Sequence, residues 1–127
     1  MNIKNIGGQG LKVSQIGLGC MGMSEFYGHA NDTESAEAIK KSYELGITFF
    51  DTSDMYGPYK NEILVGKALK DIRKKVVIAT KFGIMRTDDP KGCGKWNEIS
   101  GSNDEISKQM MSHSANKFNN QYYFIIK

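Results

Sequence analysis

Asp51, Tyr56 and Lys81 have the side-chain types and placing to transfer a proton. A tyrosine hydroxyl, with a free pKa of ~10, is a poor acid at neutral pH unless a nearby cation stabilises its phenolate. A lysine can be that cation, and an aspartate can hold the lysine in place. Asp51 closes the β-rich run Ile47-Thr48-Phe49-Phe50-Asp51, and Lys81 follows the apolar run Val76-Val77-Ile78-Ala79-Thr80. In parallel α/β folds the C-terminal strand ends form the ligand-facing rim. Tyr56, five residues beyond Asp51, lies in the loop that turns back over that rim. Taken singly, each residue has a plain alternative: a turn-forming Asp, a packing Tyr, a solvated Lys. Together on neighbouring strand ends they read as a tuned proton donor.

The elements that must position these residues follow from the pattern of apolar residues. Gly7-Gly8-Gln9-Gly10, flanked by Ile3/Ile6 and Leu11/Val13, predicts two short strands around a tight turn. Gln15 to Cys20 predicts a buried strand, and a Gly- and Met-rich loop runs on through Tyr27 and Gly28. Asn31-Asp32-Thr33-Glu34 is a helix start, with Ala36, Ile39 and Tyr43 at helical spacing and Gly46 as its stop. Strand 47–51, a helix from Asn61 to Ile72, and strand 76–80 follow, the last unbroken in its apolar residues as a strand covered on both faces should be. Phe82 to Asn103 is irregular, with several glycines and the lone Trp96. A weaker helix pattern over Asp104–Phe118 and a strand candidate over Gln121–Lys127 end the chain. The alternation predicts parallel strands joined by right-handed crossovers, in an open doubly wound sheet or a piece of a (β/α)8 barrel.

Gly17-Leu18-Gly19-Cys20-Met21-Gly22 spells G-x-G-x-x-G. In a dinucleotide-binding fold these glycines open a helix whose N-terminal amides hold a pyrophosphate. Here no helix start comes before Asn31, and Asp51 stands too far beyond Gly22 for the ~20-residue spacing of that fingerprint. The segment reads instead as a loop where backbone approaches a ligand closely.

Four segments carry a resemblance: Ile16 to Ser24, Phe50-Asp51-Thr52-Ser53-Asp54-Met55-Tyr56-Gly57, Asn61-Glu62 with Gly66-Lys67-Ala68-Leu69, and Val77 to Gly83. In this order and spacing, across residues 1 to about 103, the chain resembles the aldo-keto reductases, closest to the branch with pyridoxal-reductase-like and auxin-induced-type members. The resemblance implies an α/β fold, the N-terminal half of a (β/α)8 TIM barrel with its bottom plugged by the N-terminal hairpin. It implies one partial barrel domain over 1–127, family-like to 103 and diverged over 104–127. It implies NADP(H)-dependent reduction of a small-molecule aldehyde or ketone. Asp51, Tyr56 and Lys81 match three of the family's four catalytic residues, and Gly19, Cys20, Met21, Gly22 and Asp51 fall where the nicotinamide end of the cofactor would lie. The Trp96 loop would lie over the substrate mouth.

The fourth catalytic residue, a histidine at the end of the fourth strand, has no counterpart. On this alignment the chain ends about two residues short of it, and Phe124 replaces the family's strand Asp. His29, in the first loop, and His113, in the weak third helix pattern, are misplaced for the role. The family's binding segments for the NADPH phosphates and adenine also have no counterpart. An inactive, truncated relative is therefore the alternative reading, and exposed barrel edges predict self-association.

Composition is that of an ordinary soluble domain and excludes other classes. Lys and Arg total 17 against 14 Asp and Glu, an excess too small to point to nucleic acid. The cluster Lys67, Lys70, Arg73, Lys74, Lys75 reads as a solvated helix end. No apolar run nears the ~18 residues of a membrane span. Two cysteines and no apolar leader predict a reduced, cytoplasmic protein, and no metal-ligand spacing occurs.

Overall fold

The hairpin expected around Gly7–Gly10 forms: β1 (Ile3–Ile6) pairs antiparallel with β2 (Leu11–Ser14), and Gly7 and Gly10 take positive φ in the turn. The computed structural model describes residues 1–81, together with the backbone of three later strands at 84–86, 96–99 and 123–124. The expected helix over Asp104–Phe118, with His113, lies outside the described residues, as does Cys93.

The parallel part begins with β3 (Leu18–Gly19), shorter than the strand expected over 15–20. Ile16 is 59% exposed, so the apolar run there is not the buried strand its composition suggests. Gly17 is required at the entry to β3, because a Cβ there would lie 2.6 Å from the Phe49 ring. Helix α1 (Asp32–Glu44) starts where its cap residue sits: the Asn31 side chain accepts hydrogen bonds from the Thr33 and Glu34 amides. It ends at Leu45, and Gly46 follows at φ +94, the left-handed conformation that turns the chain into the next strand.

β4 (Phe49–Asp51) pairs parallel with β3 on one side and with β5 (Val77–Thr80) on the other. Between them runs α2 (Lys60–Leu69), which tightens into a 3-10 turn over Lys70–Lys75 rather than continuing as α-helix to Ile72. The Arg73 guanidinium donates to the Val76 carbonyl at 3.1 Å and so closes that turn against the start of β5. The irregular segment after Lys81 contains an antiparallel pair, β6 (Ile84–Arg86) with β7 (Trp96–Ile99). β8 (Tyr123–Phe124) falls inside the strand expected at the chain's end and pairs parallel with β5.

Strand order decides between the two expected architectures. The sheet runs β3-β4-β5-β8, in sequence order with no reversal. A doubly wound sheet reverses at a switch point, with helices on both faces. Here α1 and α2 pack against each other. Sequential parallel strands with neighbouring helices on one side are the first part of a (β/α)8 barrel. No closed barrel forms among the described residues.

Alternation along the strands then assigns the two faces. Phe50 and Ile78 join Cys20, Ile39, Val65, Leu69 and Val76 in the core beneath the helices. Asp51, Ala79 and Lys81, one residue out of step, belong to the opposite face. The hairpin is tied to the far end of the sheet, where the Ser14 amide donates to Thr48 Oγ1 and the Thr48 amide to Ser14 Oγ, each at 2.9 Å. The C-terminal strand ends stay clear of it.

Candidate active site

Parallel pairing sets Asp51 opposite Ala79. Lys81, two residues further along, shares the face of Ala79, so its side chain needs only to lean back along the strand to reach Asp51. It does: the ammonium donates to Asp51 Oδ1 at 2.6 Å and to the Thr52 carbonyl at 3.0 Å. Both side chains are about a third exposed, so the pair stands at the rim, neither sealed in the core nor fully solvated.

Tyr56 reaches the same place from the loop after β4. The Asp54 amide donates to the Lys81 carbonyl at 3.1 Å, and the Ser53 hydroxyl donates to that oxygen at 3.3 Å. The Tyr56 amide donates to the Ser53 carbonyl at 3.2 Å. This doubling back buries Tyr56 and brings its ring centre to 5.1 Å from the Lys81 ammonium. The structure thus brings together the three residues singled out by chemistry. Burial acts to lower the Lys81 pKa, but the hydrogen bonds to Asp51 and Tyr56, together with the Asp51 carboxylate charge, outweigh it and hold the lysine above its ordinary range. Lys81 is a firmly charged ammonium at neutral pH.

The loop over the end of β3 is divided in its exposure. Gly19 and Gly22 are exposed and Met21 is half-buried. Cys20 is fully buried: its thiol points to the Leu18 carbonyl at 3.7 Å, its amide donates to the Asp51 carbonyl at 2.8 Å, and its own carbonyl accepts from Asn61. Burial first, and the Asp51 charge second, push this thiol up to about 12. A Cβ built at Gly19 would meet nothing within 4 Å, so the rim above β3 is open. Among the described residues no cluster of three His, Cys, Asp or Glu could hold a metal ion.

Sequence reasoning missed four residues around the site. The Thr52 hydroxyl donates to Asn61 Oδ1 at 2.6 Å, and Asn61 Nδ2 donates to the Cys20 carbonyl at 2.7 Å and the Ser24 hydroxyl at 2.8 Å. The Thr80 hydroxyl donates to Glu62 Oε1 at 2.8 Å. All four side chains are buried. A signal existed: Asn61 and Glu62 stand one turn before Leu64 and Val65 and so fall on the apolar stripe of α2, where a polar residue needs a partner. The expected position of Trp96 over the mouth concerns a side chain outside the described residues.

Residues 15–120 match the model of the Aldo/keto reductase family. Over 87 residues the chain is 51% identical to a probable aldo-keto reductase of Glycine max, covering 67% of this chain and 25% of that relative. An aldo-keto reductase from Bacillus halodurans, solved in its holo form, superposes with a TM-score of 0.64 at 34% identity, over 76% of this chain and 30% of that one. An aldo/keto reductase from Klebsiella pneumoniae, solved in complex with NADP and acetate, gives a TM-score of 0.52 at 33% identity, over 59% of this chain and 26% of that one. The chain therefore spans between a quarter and a third of the length of these relatives.

Proposed function

The chain belongs to the Aldo/keto reductase family, and from that premise we propose that Asp51, Tyr56 and Lys81 serve the NADP(H)-dependent reduction of an aldehyde or ketone to an alcohol. The observation that carries the proposal is the placing of the Lys81 ammonium, 2.6 Å from Asp51 and 5.1 Å from the Tyr56 ring centre, at the C-terminal ends of parallel strands. NADPH, when bound, supplies the hydride. Tyr56 donates its hydroxyl proton to the carbonyl oxygen of the substrate. Lys81 stabilises the phenolate left behind, and Asp51 fixes the ammonium so that its charge stays beside the tyrosine.

The described residues fit the nicotinamide end of such a cofactor. The open space above Gly19 admits a flat ring close to the backbone. The Asp51 carboxylate, partly exposed at the edge of that space, can accept hydrogen bonds from ribose hydroxyls. Gly19, Met21, Gly22 and Asp51 would border the ring and its sugar. Cys20 would act through its backbone, holding the loop to Asp51 and Asn61.

A second reading is favoured by the span of the similarity, 25% of the Glycine max relative. In it the chain is an inactive relative acting as an interaction fragment. One assay separates the two: NADPH fluorescence titration and aldehyde-dependent NADPH oxidation with the purified chain. Binding with turnover supports the reductase; neither binding nor turnover leaves the second reading.

A further inference from the structure

The first turn of α2 touches both catalytic strand ends from behind. Strand alternation places Thr52 and Thr80 on the helix face, each adjacent in sequence to a residue of the site: Thr52 follows Asp51, and Thr80 precedes Lys81. The two threonines are met by consecutive helix residues, Thr52 by Asn61 at 2.6 Å and Thr80 by Glu62 at 2.8 Å. All four are at most 3% exposed, so water offers no substitute partner. We propose that Asn61 and Glu62 are positioning residues, a two-pronged clamp that fixes the separation of Asp51 and Lys81 through Thr52 and Thr80.

The clamp rests on the reading of Asp51 and Lys81 as catalytic, and geometry gives it more reach than a packing contact. Thr52 is bound at both ends of its short frame: its hydroxyl is held by Asn61, while its carbonyl accepts from the Lys81 ammonium at 3.0 Å. Asn61 therefore acts on Lys81 through a single intervening residue. Its amide orientation is fixed, because the Cys20 carbonyl can only accept, so Nδ2 must face it and Oδ1 must face Thr52. With its second amide hydrogen on Ser24, Asn61 also holds the loop that carries Met21 and Gly22. One buried amide thus ties the loop bordering the proposed nicotinamide position to the strand end bearing Asp51. Glu62 does the corresponding work at β5, so a shift of α2 would move both strand ends together.

The test reads the ammonium itself in the 15N-labelled full chain. The Lys81 Nζ–H cross-peak, assigned by its loss in Lys81→Arg, should be protected from exchange by Asp51 and Thr52. Thr52→Val and Thr80→Val, which keep shape and remove the donor, should speed that exchange roughly tenfold, the scale of one lost buried hydrogen bond. Thr52→Ser and Thr80→Ser should restore protection, as should Glu62→Gln, which keeps an acceptor for Thr80. Unchanged protection in the folded valine chains, even with a lowered melting temperature, overturns the clamp and leaves the residues structural. Should a valine chain not fold, loss of protection in Glu62→Gln or a serine chain, where the bond is retained, overturns it equally. Carbonyl reduction does not enter this readout. A failed activity assay strikes the chemistry assigned to Asp51 and Lys81, whereas a failed exchange experiment strikes the clamp.

Discussion

Lys81 donates to Asp51 across adjacent parallel strands at 2.6 Å, with the ammonium lying beside Tyr56. Three residues spread over thirty positions of sequence meet because β4 and β5 pair in a register that sets Asp51 against Ala79 and leaves Lys81 one pleat further on.

That pair makes stability depend on alkaline pH. Lys81 is held above its ordinary value in the folded chain, so the folded state keeps its proton where the unfolded chain loses it. The contribution is complete below the unfolded lysine value of about 10.4 and is lost as pH rises through the higher folded value. Urea unfolding of the wild type should weaken across that window. Lys81→Met should lose about 1 kcal/mol at neutral pH, the scale for a partly exposed pair, and should show a smaller slope above pH ~10. Parallel slopes in the two proteins would contradict the assignment.

Gly17→Ala should destabilise the chain by about 1–3 kcal/mol. The added Cβ would sit 2.6 Å from Phe49 Cδ1 and 3.3 Å from the Phe49 carbonyl oxygen, and the backbone atom cannot swing away. Gly19→Ala, with nothing within 4 Å of the new methyl, is the matched control and should leave the urea midpoint nearly unmoved.

Cys20 should be inert in the folded protein. It is fully buried and its thiol is pushed up to about 12, so almost no thiolate exists near neutral pH. In a Cys93→Ser background, a thiol reagent should label Cys20 at the rate of unfolding, accelerating with urea. Immediate stoichiometric labelling without denaturant would show that the thiol faces solvent.

Much of the fold was legible because its parallel strands are short apolar runs bounded by clear helix signals. Asn31 capped its helix as expected, and Phe49–Asp51 and Val77–Thr80 fell inside the strands read from composition. Alternation alone left the choice between barrel and doubly wound sheet open, since both share it and differ only in strand order; the barrel was expected from the family-like segments, and the order β3-β4-β5-β8 agrees with it. Gln15–Cys20 misled because its apolar residues are split by glycines: Leu18–Gly19 alone pairs, and Ile16 faces outward. β6 and β7 escaped notice because glycines and charges between them obscure the period-2 pattern. Of the site, Asp51, Tyr56 and Lys81 could be picked out as chemistry at strand ends. Thr52 and Thr80 could not, because each is an ordinary polar residue until the sheet and α2 close over it, and Asn61 and Glu62 left only the trace of polar residues on the apolar stripe of α2.

The central claim is that Tyr56 donates the proton in a carbonyl reduction, and the rate of aldehyde-dependent NADPH oxidation by the wild type and by Tyr56→Phe tests it most directly. The substitution removes one oxygen from a buried ring and should leave the fold and NADPH binding intact. The account predicts measurable turnover in the wild type and a fall in kcat of roughly 10²–10⁴-fold in Tyr56→Phe, the range for loss of a general acid. Equal rates in the two proteins would contradict it.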